Sequence, residues 1–207
     1  MARAATKRTD RREAISRALY RCITEQGYAN TTLTDIAGRA KMTPSHVGYY
    51  FDDKAAILVH YARGLCERIE AGFPTLDPGR PADELIDEVV AFCFGEGQPN
   101  TEFLGVVQEL SGLAVHDEAL REIKSQHTQQ WQRFLQVLFE TISPVAGLDA
   151  RDASRITHAL LAGLDTNTVF DPTLSRATAQ QLFRDTVRTL AGLDALPRTD
   201  RSTSLGS

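Results

Sequence analysis

Apolar residues recur at helical spacing along nearly the whole chain, and nowhere does strict alternation mark a strand. Ile15, Ala18, Leu19, Cys22 and Ile23 fall at i, i+3, i+4, i+7 and i+8, the stripe of a helix buried on one side. Asp10 with Glu13 offers it a cap-like start, and Gly27 a stop. Two short segments follow: Leu33, Ile36, Ala37 and Ala40 share one face behind Thr32, and from Pro44 to about Tyr50 only Val47 and Phe51 ask for burial. Ile57, Leu58, Tyr61, Leu65 and Ile69 then mark a longer helix, begun at Asp52 or Asp53 and ended near Gly72. The stretch FPTLDPGRP, Phe73 to Pro81, holds three prolines and a glycine; helix cannot run through it, so it reads as a boundary.

Beyond the boundary the pattern is again helical. Asp83 to about Gly95 is apolar around most of its girth, through Leu85, Ile86, Val89, Val90, Phe92, Cys93 and Phe94, as in a helix surrounded by others. Thr101 to Val115 carries Phe103, Leu104, Val106, Val107 and Leu110, with Gly105 and Gly112 allowing a neighbour close approach. Asp117 opens a long amphipathic helix to about Ile142, bearing His127, Trp131 and Phe134. The last two helices span about 150–170 and 175–193, with small residues beside leucines; an intramolecular core and a partner's surface would satisfy them equally. Pro197 to Ser207 is polar and aperiodic, a disordered tail by expectation. The fold class is all-α.

Charge sharpens this picture. The net charge of −4 divides unevenly: residues 1–54 hold ten basic and six acidic groups, the remaining 153 hold 13 and 21. A basic head on an acidic body fits nucleic-acid binding confined to one end. Met1 to Thr9 lacks apolar periodicity and reads as a mobile basic arm, set along a phosphate backbone, into a minor groove, or in solvent as a solubilising tail. With 42% apolar and 24% charged residues the composition is that of an ordinary globular protein, and no apolar run is long enough to span a membrane. Cys22, Cys66 and Cys93 are widely spaced on apolar helical faces, which suits reduced core thiols and a cytoplasmic location.

The most informative stretch is Thr32 to Lys54, TLTDIAGRAKMTPSHVGYYFDDK. Thr32 is placed to cap one short helix with Asp35 in its first turn, Lys41-Met42 makes a turn, and Thr43 caps a second helix with Pro44 at its first position. The second helix leaves Ser45, His46, Tyr49 and Tyr50 facing out, as in a helix-turn-helix reading head. The pattern resembles the TetR family of bacterial transcriptional regulators over residues 9–69: the T-x-x-D-I-A-x-x-A helix, the Ser/Thr-capped helix running into an aromatic cluster, and the following lysine, Lys54. Lys41 stands where that family often has a turn glycine, and Gly48 where many members carry a tyrosine.

The resemblance implies an N-terminal three-helix DNA-binding domain (residues 9–69, reading head about 32–51) behind the arm at 1–8. A helical effector-binding and dimerisation domain at 70–194 and the tail at 195–207 complete the chain. Ser45 and His46 are then expected at base edges with Thr34 at the groove margin, Tyr49, Tyr50 and Lys54 at phosphate or sugar, and Thr32, Thr43 and Pro44 within the same DNA-binding surface. The family also implies a homodimer through the last two helices and a repressor released from a palindromic operator by a small-molecule effector, and the apolar core of the C-terminal helices argues for an effector that is largely apolar. Phe92, Phe103, Val107, Leu110, His127, Trp131 and Phe134 are the candidate effector lining, with His127, Gln108 or Asp165 as polar anchors; the same residues would serve as plain core. No G-x-S-x-G, phosphate-loop, H-E-x-x-H or G-x-G-x-x-G motif occurs, so neither an enzyme, a cofactor nor a metal is expected. Two other functions fit the composition: a helical small-molecule-binding protein without a DNA role, which the basic head disfavours, and an activator of the same family.

Overall fold

A computed structural model describes residues 2–95, 110–142 and 148–193. All regular structure among them is helical: α1 (Ala2–Asn30), α2 (Leu33–Arg39), α3 (Pro44–Gly48), α4 (Lys54–Ala71), α5 (Ala82–Phe94), α6 (Glu118–Ile142), α7 (Ala150–Phe170) and α8 (Arg176–Leu190). Residues 110–114 add a further helical stretch before α6. The expected segments Phe103 to Gln108, Gly105 included, and the tail lie outside the described residues.

The described residues fall into two compact units, one from residues 1–74 and 92–131, the other from 75–91 and 132–207. In the first, α1 packs on α2 and α4, and α2 on α3. Ile15, Leu19, Ile36, Val47, Ile57, Leu58, Leu65 and Ile69 are sealed from solvent. They are the residues at helical spacing, each contributing roughly 1.5–3 kcal/mol by burial. In the second unit α7 packs on α8. Ion pairs from Arg184 to Asp87 and from Arg188 to Asp83 fasten α8 to the first turns of α5. Leu138, Phe139, Ala153, Thr157, Phe183 and Val187 are fully buried there.

Most helix ends carry the caps that the sequence signals. Thr32 and Asp35 form a reciprocal capping box, the Thr32 hydroxyl accepting from the Asp35 amide at 3.2 Å and the Asp35 carboxylate accepting from the Thr32 amide at 2.8 Å. Thr43, Asp53, Asp149 and Ser175 cap α3, α4, α7 and α8. Gly27 breaks α1 at φ 78°, a conformation glycine adopts without steric cost. The turn between α2 and α3 places Lys41 at φ 54°, so a side chain sits where only the backbone of glycine is relaxed.

Two expectations are corrected. Helix α1 begins at Ala2 rather than near Asp10, so the first residues are helical. Ala, Arg and Lys dominate that segment, and intrinsic propensity supports a helix there without any apolar stripe. At Gly112 no described atom lies within 4 Å of the position a Cβ would take, so among the described residues it makes no close approach. Gly72 does: a Cβ there would meet the Phe92 ring at 3.0 Å. The cysteines are free, with Cys22 and Cys93 buried and burial pushing the Cys66 thiol up to about 11, far from a reactive thiolate.

Candidate nucleic-acid interface and aromatic cluster

Helix α3 has five residues and buries one of them, Val47. It is therefore held from outside. Its N-terminus is fixed by Thr43, whose hydroxyl accepts from the His46 amide at 3.2 Å. The chain after it is anchored by Phe51, which is buried. Between these anchors Pro44, Ser45 and His46 are exposed, and Tyr49 is 74% exposed, an unusual state for a large aromatic side chain on a rigid turn. The aromatic groups brace one another, Tyr50 standing 5.5 Å from His46 and 5.1 Å edge-on from Tyr49. Thr32, Thr34 and Thr43 are exposed on the same part of the chain, although the hydroxyls of Thr32 and Thr43 are engaged in caps. The geometry is a short, rigid, polar helix that can present Ser45 and His46 to base edges.

Lys54 is placed differently from the expected phosphate contact. Its Nζ donates to the carbonyls of Tyr28 and Thr31, each at 2.7 Å, and lies 4.1 Å from the centroid of the Tyr28 ring. The ammonium thus closes the C-terminal end of α1, where the helix dipole favours a cation and the Thr31 carbonyl just beyond the helix takes its second bond. Arg12 on α1 reaches the Tyr50 carbonyl at 3.0 Å in the same inward manner. Neither role is visible in a local pattern, since the partners lie 26 and 38 residues away.

Of the candidate effector residues, Phe92, His127 and Trp131 come together. Trp131 lies 5.9 Å from Phe92, and its indole N–H donates to His127 Nε2 at 3.2 Å. Phe73, in the proline-rich boundary, completes the cluster at 4.9 Å from Trp131 and 5.7 Å from Phe92. Its signal was an aromatic residue squeezed between Gly72 and Pro74, a poor choice for an exposed linker. Beside it Gln130 Nε2 donates to Glu70 at 2.6 Å, tying α6 to the last turn of α4. Leu110 is half-buried. Phe134 and Asp165 belong to the other compact unit, where burial pushes the Asp165 carboxyl up to about 6 against the pull of Arg176. Phe103, Val107 and Gln108 lie outside the described residues.

An open groove of about 790 Å³ runs between α1 and α4, lined by Ser16, Arg17, Tyr20, His60, Gly64 and Arg68 among others. It shares no residue with the aromatic cluster. Among the described residues no group of three potential metal ligands occurs, and no helix is long and apolar enough to cross a membrane.

Comparison with known proteins gives two family matches. The model of the bacterial regulatory proteins of the tetR family matches residues 15–61, and that of the BetI-type transcriptional repressor C-terminal domain matches residues 82–192. The HTH-type transcriptional regulator HbdR of Aromatoleum sp. (strain CIB) is 33% identical over 86 residues, 41% of this chain and only 38% of that protein. The HTH-type transcriptional regulator BetI of Burkholderia cenocepacia (strain HI2424) is 26% identical over 156 residues, covering 74% of this chain and 79% of BetI. Among solved structures, a transcriptional regulator from Saccharomonospora viridis in complex with choline superposes with a TM-score of 0.75 at 18% identity, over 87% of this chain and 96% of that one; at this identity the likeness is one of fold.

Proposed function

This chain belongs to the TetR family of bacterial regulatory proteins, and from that premise we propose that it is a repressor released from a palindromic operator by a small, largely apolar effector. It is a DNA-binding transcriptional regulator of a family that is not enzymatic. The observation that carries the reading is the exposed tip of α3: polar, doubly anchored, and matched as part of the family's DNA-binding segment.

We assign DNA binding to residues 9–69, with the reading head at about 32–51, and effector binding and dimerisation to 70–194. The basic segment at 1–8 runs along the phosphate backbone, and the tail at 195–207 takes no part. In a dimer the two α3 helices enter successive major grooves, about 34–36 Å apart by the general rule for such dimers. Ser45 and His46 read bases; Tyr49 and Tyr50 contact phosphate or sugar. Replacing His46 by Ala should therefore weaken the cognate site by roughly 1–3 kcal/mol and relax one base position, while leaving binding to random duplex nearly unchanged. Selection of operators from a random library with both proteins checks it, and an unaltered consensus in the variant would refute the base-reading role.

The effector is proposed to enter against the aromatic cluster of Phe73, Phe92, His127 and Trp131. Ring faces attract a cationic head group by about 0.5–2 kcal/mol each, so an organic ammonium of the choline kind fits as well as a neutral apolar molecule. The cluster touches the end of α4 through Phe73 and through the Gln130–Glu70 bond, so occupancy acts on the helix that Asp53 and Lys54 begin. The effector must prefer the released arrangement by its own differential affinity. Trp131 is the only tryptophan, and it reports directly. Titration with phenol should shift its emission saturably and lower operator affinity in parallel. A response to choline alone would make the effector cationic and overturn its apolar character, and no response to either probe would leave the cluster as core. The same dimer acting as an activator is the second reading, favoured if the operator lies upstream of the promoter elements.

A further inference from the structure

The side chain of Arg12 is spent inside the protein. Its Nη1 donates to the Tyr50 carbonyl at 3.0 Å, and its guanidinium carbon lies 4.2 Å from the centroid of the Phe51 ring. Phe51 in turn stands edge-on to His60 at 5.3 Å, and His60 Nδ1 pairs with the hydroxyl of Ser16 at 3.0 Å. Ser16 follows Arg12 by one helical turn, so α1 holds the segment just after α3, at Tyr50 and Phe51, from two adjacent points: directly through Arg12, and through His60 from Ser16.

That grip falls just beyond the end of α3. The Tyr50 carbonyl lies two residues past Gly48, so the Arg12 guanidinium fixes the backbone into which α3 runs rather than the carbonyls of the helix itself. With Val47 its only buried residue, α3 has little packing of its own to fix its direction. The residues that follow it, Tyr49 and Tyr50, hold the ring contacts that brace His46. Losing the bond to the Tyr50 carbonyl would loosen the helix that carries Ser45 and His46.

We propose that Arg12 is a positioning residue for base recognition: it orients α3 through the Tyr50 carbonyl and the Phe51 ring and does not itself contact DNA. The inference rests on α3 being the reading helix. It separates Arg12 from the other arginines of the basic N-terminal segment, whose contribution would be general attraction to phosphate.

The test uses the full-length protein, an operator selected from a random duplex library, and a random duplex as control. Arg12→Met keeps an apolar stem over Phe51 and removes the donor and charge. Its affinity for the operator should fall roughly tenfold to a hundredfold, the range for a lost charge-assisted hydrogen bond. Affinity for random duplex should change less than about threefold, with the log–log salt slope unaltered. Arg12→Lys, which can still donate to the Tyr50 carbonyl, should recover most of the discrimination. Equal losses on both duplexes with the slope reduced by about one would make Arg12 a phosphate contact and overturn the proposal. An unchanged operator-to-random ratio in a folded variant would overturn it as well, leaving Arg12 a packing group. Should Arg12→Met fail to fold by circular dichroism, Arg12→Gln, which loses the charge and falls short of the Tyr50 carbonyl, supplies the same ratio, with Arg12→Lys as the variant that recovers it. If the wild-type protein does not distinguish operator from random duplex, the reading-helix assignment fails, and that outcome is separate from any difference among the Arg12 variants.

Discussion

Leu182→Glu should run as a monomer on analytical ultracentrifugation and lose most of its operator affinity while keeping its helical content. The last two helices leave apolar side chains uncovered: Ile156 is 45% exposed, Leu182 41%, Val169 60% and Phe170 69%. Ile156, Leu160 and Gly163 fall at i, i+4 and i+7 on α7, and no described atom lies within 4 Å of the position a Cβ on Gly163 would take, which leaves room for the partner helix of the proposed dimer. Leu182 is the stronger test site because much of its side chain already meets solvent; a glutamate there costs the folded chain little. Leu160 is half-buried, so Leu160→Glu should also lose stability within the chain, and Ile156→Glu is the better companion. In a dimer each substitution buries unpaired carboxylates against an apolar face, at a cost of several kcal/mol. A weakening of self-association by at least about a hundredfold is expected, equivalent to roughly 3 kcal/mol. Operator affinity falls further than any single DNA contact would explain, since linking two reading heads multiplies affinity by roughly 10²–10⁴. A variant that stays dimeric at micromolar concentration would move the interface elsewhere.

The parts of this molecule that were legible in the sequence are the ones whose causes are local. Thr32 and Asp35 announce a capping box because both partners lie within one turn, and Thr43-Pro44 announces a helix start for the same reason. The buried stripe of Ile15, Leu19 and Cys22 follows from a period of 3.6 residues and needs no knowledge of what covers it. Long-range polar contacts leave no such trace. Arg12 and Lys54 look like members of a basic surface, and only the folded chain shows each donating to a carbonyl far along the sequence. Phe73 was hidden differently: the prolines around it signal a break in helix, and that signal is silent about whether the break is buried. The first residues carry no amphipathic stripe to announce a helix, yet an Ala- and Arg-rich segment is helical by propensity alone.

For Lys54 the structural and DNA-contact roles predict opposite outcomes. The ammonium donates to the carbonyls of Tyr28 and Thr31 and sits over the Tyr28 ring. The Tyr28 carbonyl has a second partner in the Thr31 amide at 3.2 Å, so removing Lys54 strands chiefly the Thr31 carbonyl. One charge-assisted bond contributes about 1.5–3 kcal/mol, and the exposed cation–π contact roughly 0.5–1 kcal/mol. Water can reach part of this corner, which returns some of the loss. Lys54→Met should therefore lower unfolding free energy by about 2 kcal/mol, read as a shift of the urea midpoint without a change in slope. The salt dependence of binding to random duplex should stay as in the wild type, because no phosphate contact has been removed. A lysine that served the phosphate instead would show the reverse: a midpoint moved by less than about 0.5 kcal/mol and a log–log salt slope lowered by about one. Both changes together would mean that the third N–H of the ammonium reaches the backbone of the DNA while the other two hold α1 in place.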